Sequence, residues 1–194
     1  MALRCAQGEV HYLDAPISGG AVKAAEGKLS VMASGSSEAF AAARPILKSV
    51  AETVFELGDE AGSGSAMKAV NQLLAGVHIA TMAEAMTFGM TQGVTPEKVV
   101  DVFTKCACSC WMLENRAPHI VDGDYTPHSS VNIWPKDLGI VLDIAQTAGF
   151  RAPITSAALQ QFAAAAGMGH GWEDDAAVAK VYARDAGLTL PGEE

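Results

Sequence analysis

From Ser65 to Gln92 the chain runs without a proline, between a glycine-rich breaker at Gly58 to Gly64 and a stop at Gly93. Such a stretch predicts one long helix, because nothing inside it removes a backbone donor and Gly93 can take the left-handed conformation that ends helices. At about 1.5 Å of rise per residue it would be roughly 40 Å long, enough to pass from one domain into the next. His78 and Glu84 within its apolar run argue against a membrane span, and Met1 to Glu9 holds no apolar stretch of signal-peptide length. The chain is therefore expected to be cytoplasmic, neither secreted nor membrane-bound.

The pattern differs on the two sides of this breaker. Ahead of it, short apolar runs at His11 to Pro16, Lys28 to Ala33 and Thr53 to Leu57 read as strands, and Ala-rich Ser37 to Ser49 reads as a helix. These have the grammar of an α/β domain but are too few to complete one. Behind it only helices follow. Thr95 and Pro96 open one that ends before Pro118, and loop signals fill Val121 to Ser130. Pro135 opens another that Gly149 closes, Pro153 opens one reaching Gly167, and Asp175 caps a last one ended by Gly187. The expected fold is mainly α, with residues 1–61 as the end of an α/β domain and 62–194 as a bundle of about five helices.

Composition agrees. Hydrophobic residues make up 49% of the 194 positions and aromatics only 6%, which suits closely packed helices built from Ala, Val, Leu, Ile and Met. The formal charge of −9 comes with no Lys/Arg cluster, so a nucleic-acid partner is not expected. Cys106-x-Cys108-x-Cys110 lacks the paired spacing of structural zinc sites, and on a helix Cys108 would point away from the other two. Glu173, Asp174 and Asp175 are consecutive, so their side chains diverge. No metal site is expected from either run. His78 reads as a packed core histidine, and Trp134 as filler of a loop-to-helix corner. Ser18 lacks the Gly-x-Ser-x-Gly frame of a hydrolase nucleophile.

One face of the long helix carries chemistry. Lys68, Asn71 and Gln72 stand three and four residues apart, so an amine and two amides project from one side and can grip one small molecule. Gly62 and Gly64 just ahead allow backbone to approach that molecule, and N–H groups near Ser65 would offer it the positive end of a helix dipole.

Four motifs carry a family resemblance: Asp14-Ala-Pro-Ile-Ser18-Gly19-Gly20, Ala24-Ala-Glu-Gly27-Lys-Leu, the Gly62 to Gln72 string, and Lys136-Asp137-Leu138. In order and spacing they resemble the β-hydroxyacid dehydrogenase family over nearly the whole chain. Trp111-Met-Leu-Glu-Asn115-Arg116 and Val121-Asp-Gly-Asp-Tyr-Thr-Pro127 look most like its L-threonate branch. The resemblance implies an NAD- or NADP-dependent oxidoreductase acting on a small hydroxy acid. Lys68 would be its general acid/base. Ser18, Gly19 and Gly20 would hold the substrate carboxylate, Asn71 and Gln72 would bind substrate oxygens, and Lys136 would sit beside the cofactor.

It further implies a 6-phosphogluconate dehydrogenase C-terminal-like helical bundle, preceded by the last strands and helix of an incomplete Rossmann domain, and a homodimer formed through the bundle. Two departures accompany the match. Many members carry Asn where this chain has Gln72, which suits a different hydroxy acid. The family's G-x-G-x-x-G nucleotide fold is expected ahead of Asp14, and Gly62-x-Gly64 cannot replace it, lacking the downstream strand and acid. A second reading is a noncatalytic helical dimerisation module derived from such an enzyme.

Overall fold

A computed structural model describes Cys5, Gly8 and residues 10–193, which fall into two compact units, Met1–Asn71 and Gln72–Glu194. The protein is rich in helix and carries, among the described residues, a small three-stranded sheet.

In the first unit β1 (Ile17–Ser18) runs antiparallel to β2 (Leu29–Ala33), which pairs in parallel with β3 (Ala51–Glu56). Alternation explains β2: Leu29, Val31 and Ala33 are buried, while Ser30 and Met32 between them are only partly so. Helix α1 (Gly20–Ala25) follows β1, and α2 (Ser37–Val50) joins β2 to β3. Ser36 caps α2 by accepting the Ala39 N–H at 3.3 Å, and Phe40 packs on Val31 and Ala33. The strand expected from His11 to Pro16 is reduced to one bridge between Asp14 and Ser34. Pro16 has no N–H to donate, and only its carbonyl joins the sheet, accepting from Met32 N at 2.9 Å.

Helix α3 (Ser63–Thr91) matches the expected long helix, and the division between the units falls within it. By length and composition it could cross a membrane, with a mean hydropathy of 1.3 over its most apolar window. Its Ile79, Ala83 and Met86 are instead fully buried in the core of the second unit.

That unit also contains α4 (Pro96–Phe103), α5 (Trp111–Asp122), α6 (Ile133–Thr147), α7 (Pro153–Ala165) and α8 (Ala179–Ala186). Two helices stand where one was expected between Thr95 and Pro118. Turns occupy the stretch from Thr104 to Ser109, and Cys110 Sγ starts α5 afresh by accepting the Leu113 N–H at 3.4 Å. Cys106 and Cys108 are accordingly exposed on a turn rather than arrayed on a helix. Pro118 lies inside α5, where burial of Ala117 and Ile120 holds the helix despite the missing donor.

The capping assignment at the last helix also shifts by one residue. Asp174, not Asp175, caps the turn at 175–178 that leads into α8, its Oδ1 accepting from Ala176 N at 3.1 Å. Asp175 turns inward, taking Arg116 Nε at 2.7 Å and Trp134 Nε1 at 3.0 Å. Burial pushes its carboxyl up to about 6, against the pull of the Arg116 guanidinium and with the Asp174 charge adding to the rise. Trp134 is buried, stacked 5.4 Å from the Phe162 ring.

Gly64 makes the start of α3 possible. A Cβ there would lie 2.4 Å from the Met32 carbonyl oxygen and 2.9 Å from that of Asp14. Gly64→Ala is expected to lower stability by about 1–3 kcal/mol, since backbone must move. Gly139→Ala, inside α6 with nothing near its Cβ, should be neutral or stabilising by about 0.5–1 kcal/mol. Urea unfolding of both variants followed by circular dichroism makes the comparison.

Candidate active site

Asp14 organises the candidate site in the first unit. One of its oxygens, Oδ2, accepts the Gly62 N–H at 3.0 Å and the Ser65 N–H at 2.8 Å, while Oδ1 accepts the Ser65 hydroxyl at 2.6 Å. Ser34 Oγ takes the Gly64 N–H at 3.1 Å. A carboxylate and a hydroxyl thus satisfy the donors that α3 would otherwise leave without partners. The sequence-based expectation that N–H groups near Ser65 greet an anionic substrate is thereby corrected: those groups hold Asp14 and Ser34. Burial works to raise the Asp14 pKa, but the Ser65 hydroxyl and the Ser65 and Gly62 N–H groups outweigh it and hold it below its ordinary value.

The Ser18-Gly19-Gly20 loop leaves β1 and enters α1 with φ of 135° at Gly19 and 68° at Gly20. A side chain at Gly19 would be strained on both counts, as its Cβ would also lie 2.9 Å from Lys23 Cβ. Lys68 and Asn71 are half-buried on α3, one and two turns past its start, and both are engaged by neighbouring groups.

In the second unit Gln72 continues that side of the helix. Its Nε2 donates to Asp137 Oδ2 at 2.6 Å, and Asp137 Oδ1 pairs with Lys136 Nζ at 2.9 Å. Close approach of two helices produces this link. Gly76, one turn past Gln72, lies so near α6 that a Cβ would meet Leu138 Cδ2 and Trp134 Cε3 at 2.8 Å each. Lys136 is 69% exposed and Asp137 only 15%, so the carboxylate is the sheltered centre and the ammonium its outward end. Because α6 starts at Ile133, Lys136 closes the first turn, and its adjacent carboxylate offsets the unfavourable dipole.

Asp14 and Asp137 are the two residues that sequence reasoning undervalued. Both lie inside the recognised motifs. Their partners are distant: Asp14 is bound to Ser65 and Asp137 to Gln72, pairings that no local spacing announces.

Asp14→Asn keeps the shape but removes the charge and adds a donor among donors. It should lower stability at neutral pH by about 1–3 kcal/mol. Since the folded-state pKa lies below the ordinary 3.8, the wild-type advantage is full above that value and is lost as pH falls through the lowered one. Urea unfolding of both proteins at several pH values should show the two converging only in acid.

A sequence model described as the NAD-binding part of NADP-dependent 3-hydroxyisobutyrate dehydrogenase matches residues 62–182, and one described as the NAD-binding domain of 6-phosphogluconate dehydrogenase matches 1–58. L-threonate dehydrogenase of Escherichia coli O6:H1 is 52% identical over 183 residues, which cover 94% of this chain and 60% of that protein. A crystal structure described as 3-hydroxyisobutyrate dehydrogenase from Salmonella typhimurium superposes with a TM-score of 0.87 at 49% identity, over 93% of this chain and 63% of that one. The Mycobacterium tuberculosis 3-hydroxyisobutyrate dehydrogenase solved with L-serine gives a TM-score of 0.84 at 29% identity, over 93% and 64%. The chain thus spans less than two thirds of the length of these relatives.

Proposed function

Since the chain belongs to the β-hydroxyacid dehydrogenase family, we propose that it is the substrate-binding and catalytic part of an NAD(P)-dependent enzyme that oxidises a four-carbon sugar acid such as L-threonate. One observation carries most of the weight: Lys68, Asn71 and Gln72 share a side of α3, and Asp137 holds Gln72 from a second helix. The substrate of the Escherichia coli relative sets the choice of acid.

In this reading Lys68 takes the proton of the substrate hydroxyl as its carbon becomes a carbonyl, and returns it in the reverse direction. Ser18, Gly19 and Gly20 receive the carboxylate, and Asn71 and Gln72 orient the hydroxyl oxygens. Asp137 sets the Gln72 amide and restrains Lys136, which contacts the cofactor. NAD or NADP supplies the hydride acceptor. Of the described residues Lys136 alone is assigned to it; Gly62 and Gly64 offer no phosphate cradle, because Asp14 and Ser34 hold their N–H groups. The domain assignment follows, with 1–61 as the closing part of a Rossmann domain bearing the substrate loop and 62–194 as a 6-phosphogluconate dehydrogenase C-terminal-like bundle.

A homodimer through the bundle belongs to the same reading. Ile133, Ile140 and Ile144 fall on one side of α6 and are all exposed. That row also favours the noncatalytic dimerisation module, so the activity assay separates the two.

Oxidation of L-threonate, followed through the absorbance of reduced nicotinamide with NAD and with NADP, tests the enzyme. Absence of turnover together with absence of L-threonate binding by calorimetry would refute it. Lys68→Ala should lower kcat about 10²–10⁴-fold with the KM for cofactor little changed. Lys136→Ala should raise the cofactor KM, and a change confined to the L-threonate KM would remove it from the assigned place.

A further inference from the structure

The second unit holds a cluster that the dehydrogenase reading does not use. Asp174 is fully buried, His119 is 11% exposed, and His128 lies exposed beside them. A nitrogen of each imidazole and a carboxylate oxygen all lie within 4.8 Å of one another.

Three features of this cluster point to a cation. First, His119 Nδ1 lies 2.7 Å from the Asp124 carbonyl oxygen. A carbonyl only accepts, so Nδ1 carries a proton and in the neutral ring the lone pair is on Nε2, the arrangement by which metal-binding histidines are oriented. That Nε2 stands 4.0 Å from Asp174 Oδ2. Second, Asp174 is fixed: Oδ1 accepts from Ala176 N at 3.1 Å and Oδ2 from His128 N at 2.9 Å. Third, the surroundings are short of positive charge. Asp174 and Asp175 bring two carboxylates to one guanidinium, and Arg116 gives its close contact of 2.7 Å to Asp175 while standing 3.9 Å from Asp174.

We propose that His119 Nε2, a ring nitrogen of His128 and a carboxylate oxygen of Asp174 bind one Zn(II) ion, tying the loop at 124–130 to α5 and to the turn at 175–178. Two imidazoles and a carboxylate form a borderline donor set that suits zinc, with water in the fourth position. Bonds of about 2.0–2.2 Å in tetrahedral geometry require donors about 3.4 Å apart. His119 Nε2 and Asp174 Oδ2 close from 4.0 Å by about 0.6 Å, and the rest of the contraction falls to His128, whose ring is exposed and stands edge-on to His119 with centroids 4.8 Å apart. The same exposure gives the ion its entry. The cluster was not visible in the sequence because its members come from α5, a loop and the start of a turn.

Chelator-treated protein is dialysed against ZnSO₄, its metal counted by mass spectrometry and its affinity measured by calorimetry. About one zinc per chain with a dissociation constant near 1 µM or below is expected. His128→Ala, an exposed change that leaves the fold intact by circular dichroism, should weaken binding at least about tenfold, and Asp174→Asn should do the same. Zinc should raise the melting temperature of the wild type and not that of His128→Ala. Failure to retain zinc, retention unchanged in His128→Ala, or loss of zinc only in a Cys106→Ser, Cys108→Ser variant would each overturn the site. None of these readouts depends on dehydrogenase activity.

Discussion

The acceptance by one carboxylate of three donors at the start of α3 is the interaction on which the rest of the candidate site depends. A helix of this length begins with N–H groups that need acceptors and with a positive end that favours an anion. Asp14 supplies both from a distant part of the chain, and Ser34 beside it takes a further N–H. The grip works only because Gly64 lets the sheet backbone come closer than any side chain would permit. From that start the positions of Lys68 and Asn71 follow by helical spacing alone.

In the second unit a different economy of charge prevails. Asp137 stands between the half-buried Gln72 amide and the exposed Lys136 ammonium, so one of its oxygens takes a hydrogen bond and the other an ion pair. Asp174 and Asp175 share Arg116, and burial raises one of the two carboxyls accordingly. Their adjacency puts one on the turn as a cap and the other in the core under Trp134, a division of labour that consecutive residues achieve by pointing in opposite directions.

Much of the fold was legible in the chain because it rests on local rules. The proline-free run bounded by glycines gave α3 to within two residues at its start and one at its end, and Pro96 and Pro153 marked the starts of α4 and α7. The misreadings share one cause. Nothing local forbids helix around Cys106, yet turns and a thiol cap divide the stretch, while Pro118 sits inside a helix that packing sustains. The strand before Pro16 shrank to a bridge because pairing needs a partner edge, which apolar alternation does not specify.

The sequence by itself determined which residues could share a helix face, and so placed Lys68, Asn71 and Gln72 together; it also determined the family, through four motifs in register. Only the tertiary structure decided what those motifs hold. Helical periodicity is a short-range rule, whereas Asp14 reaches Ser65, Gln72 reaches Asp137, and His119 and His128 meet Asp174 through contacts between residues far apart in the chain. Folding brings such residues together, and no spacing along the chain encodes the meeting.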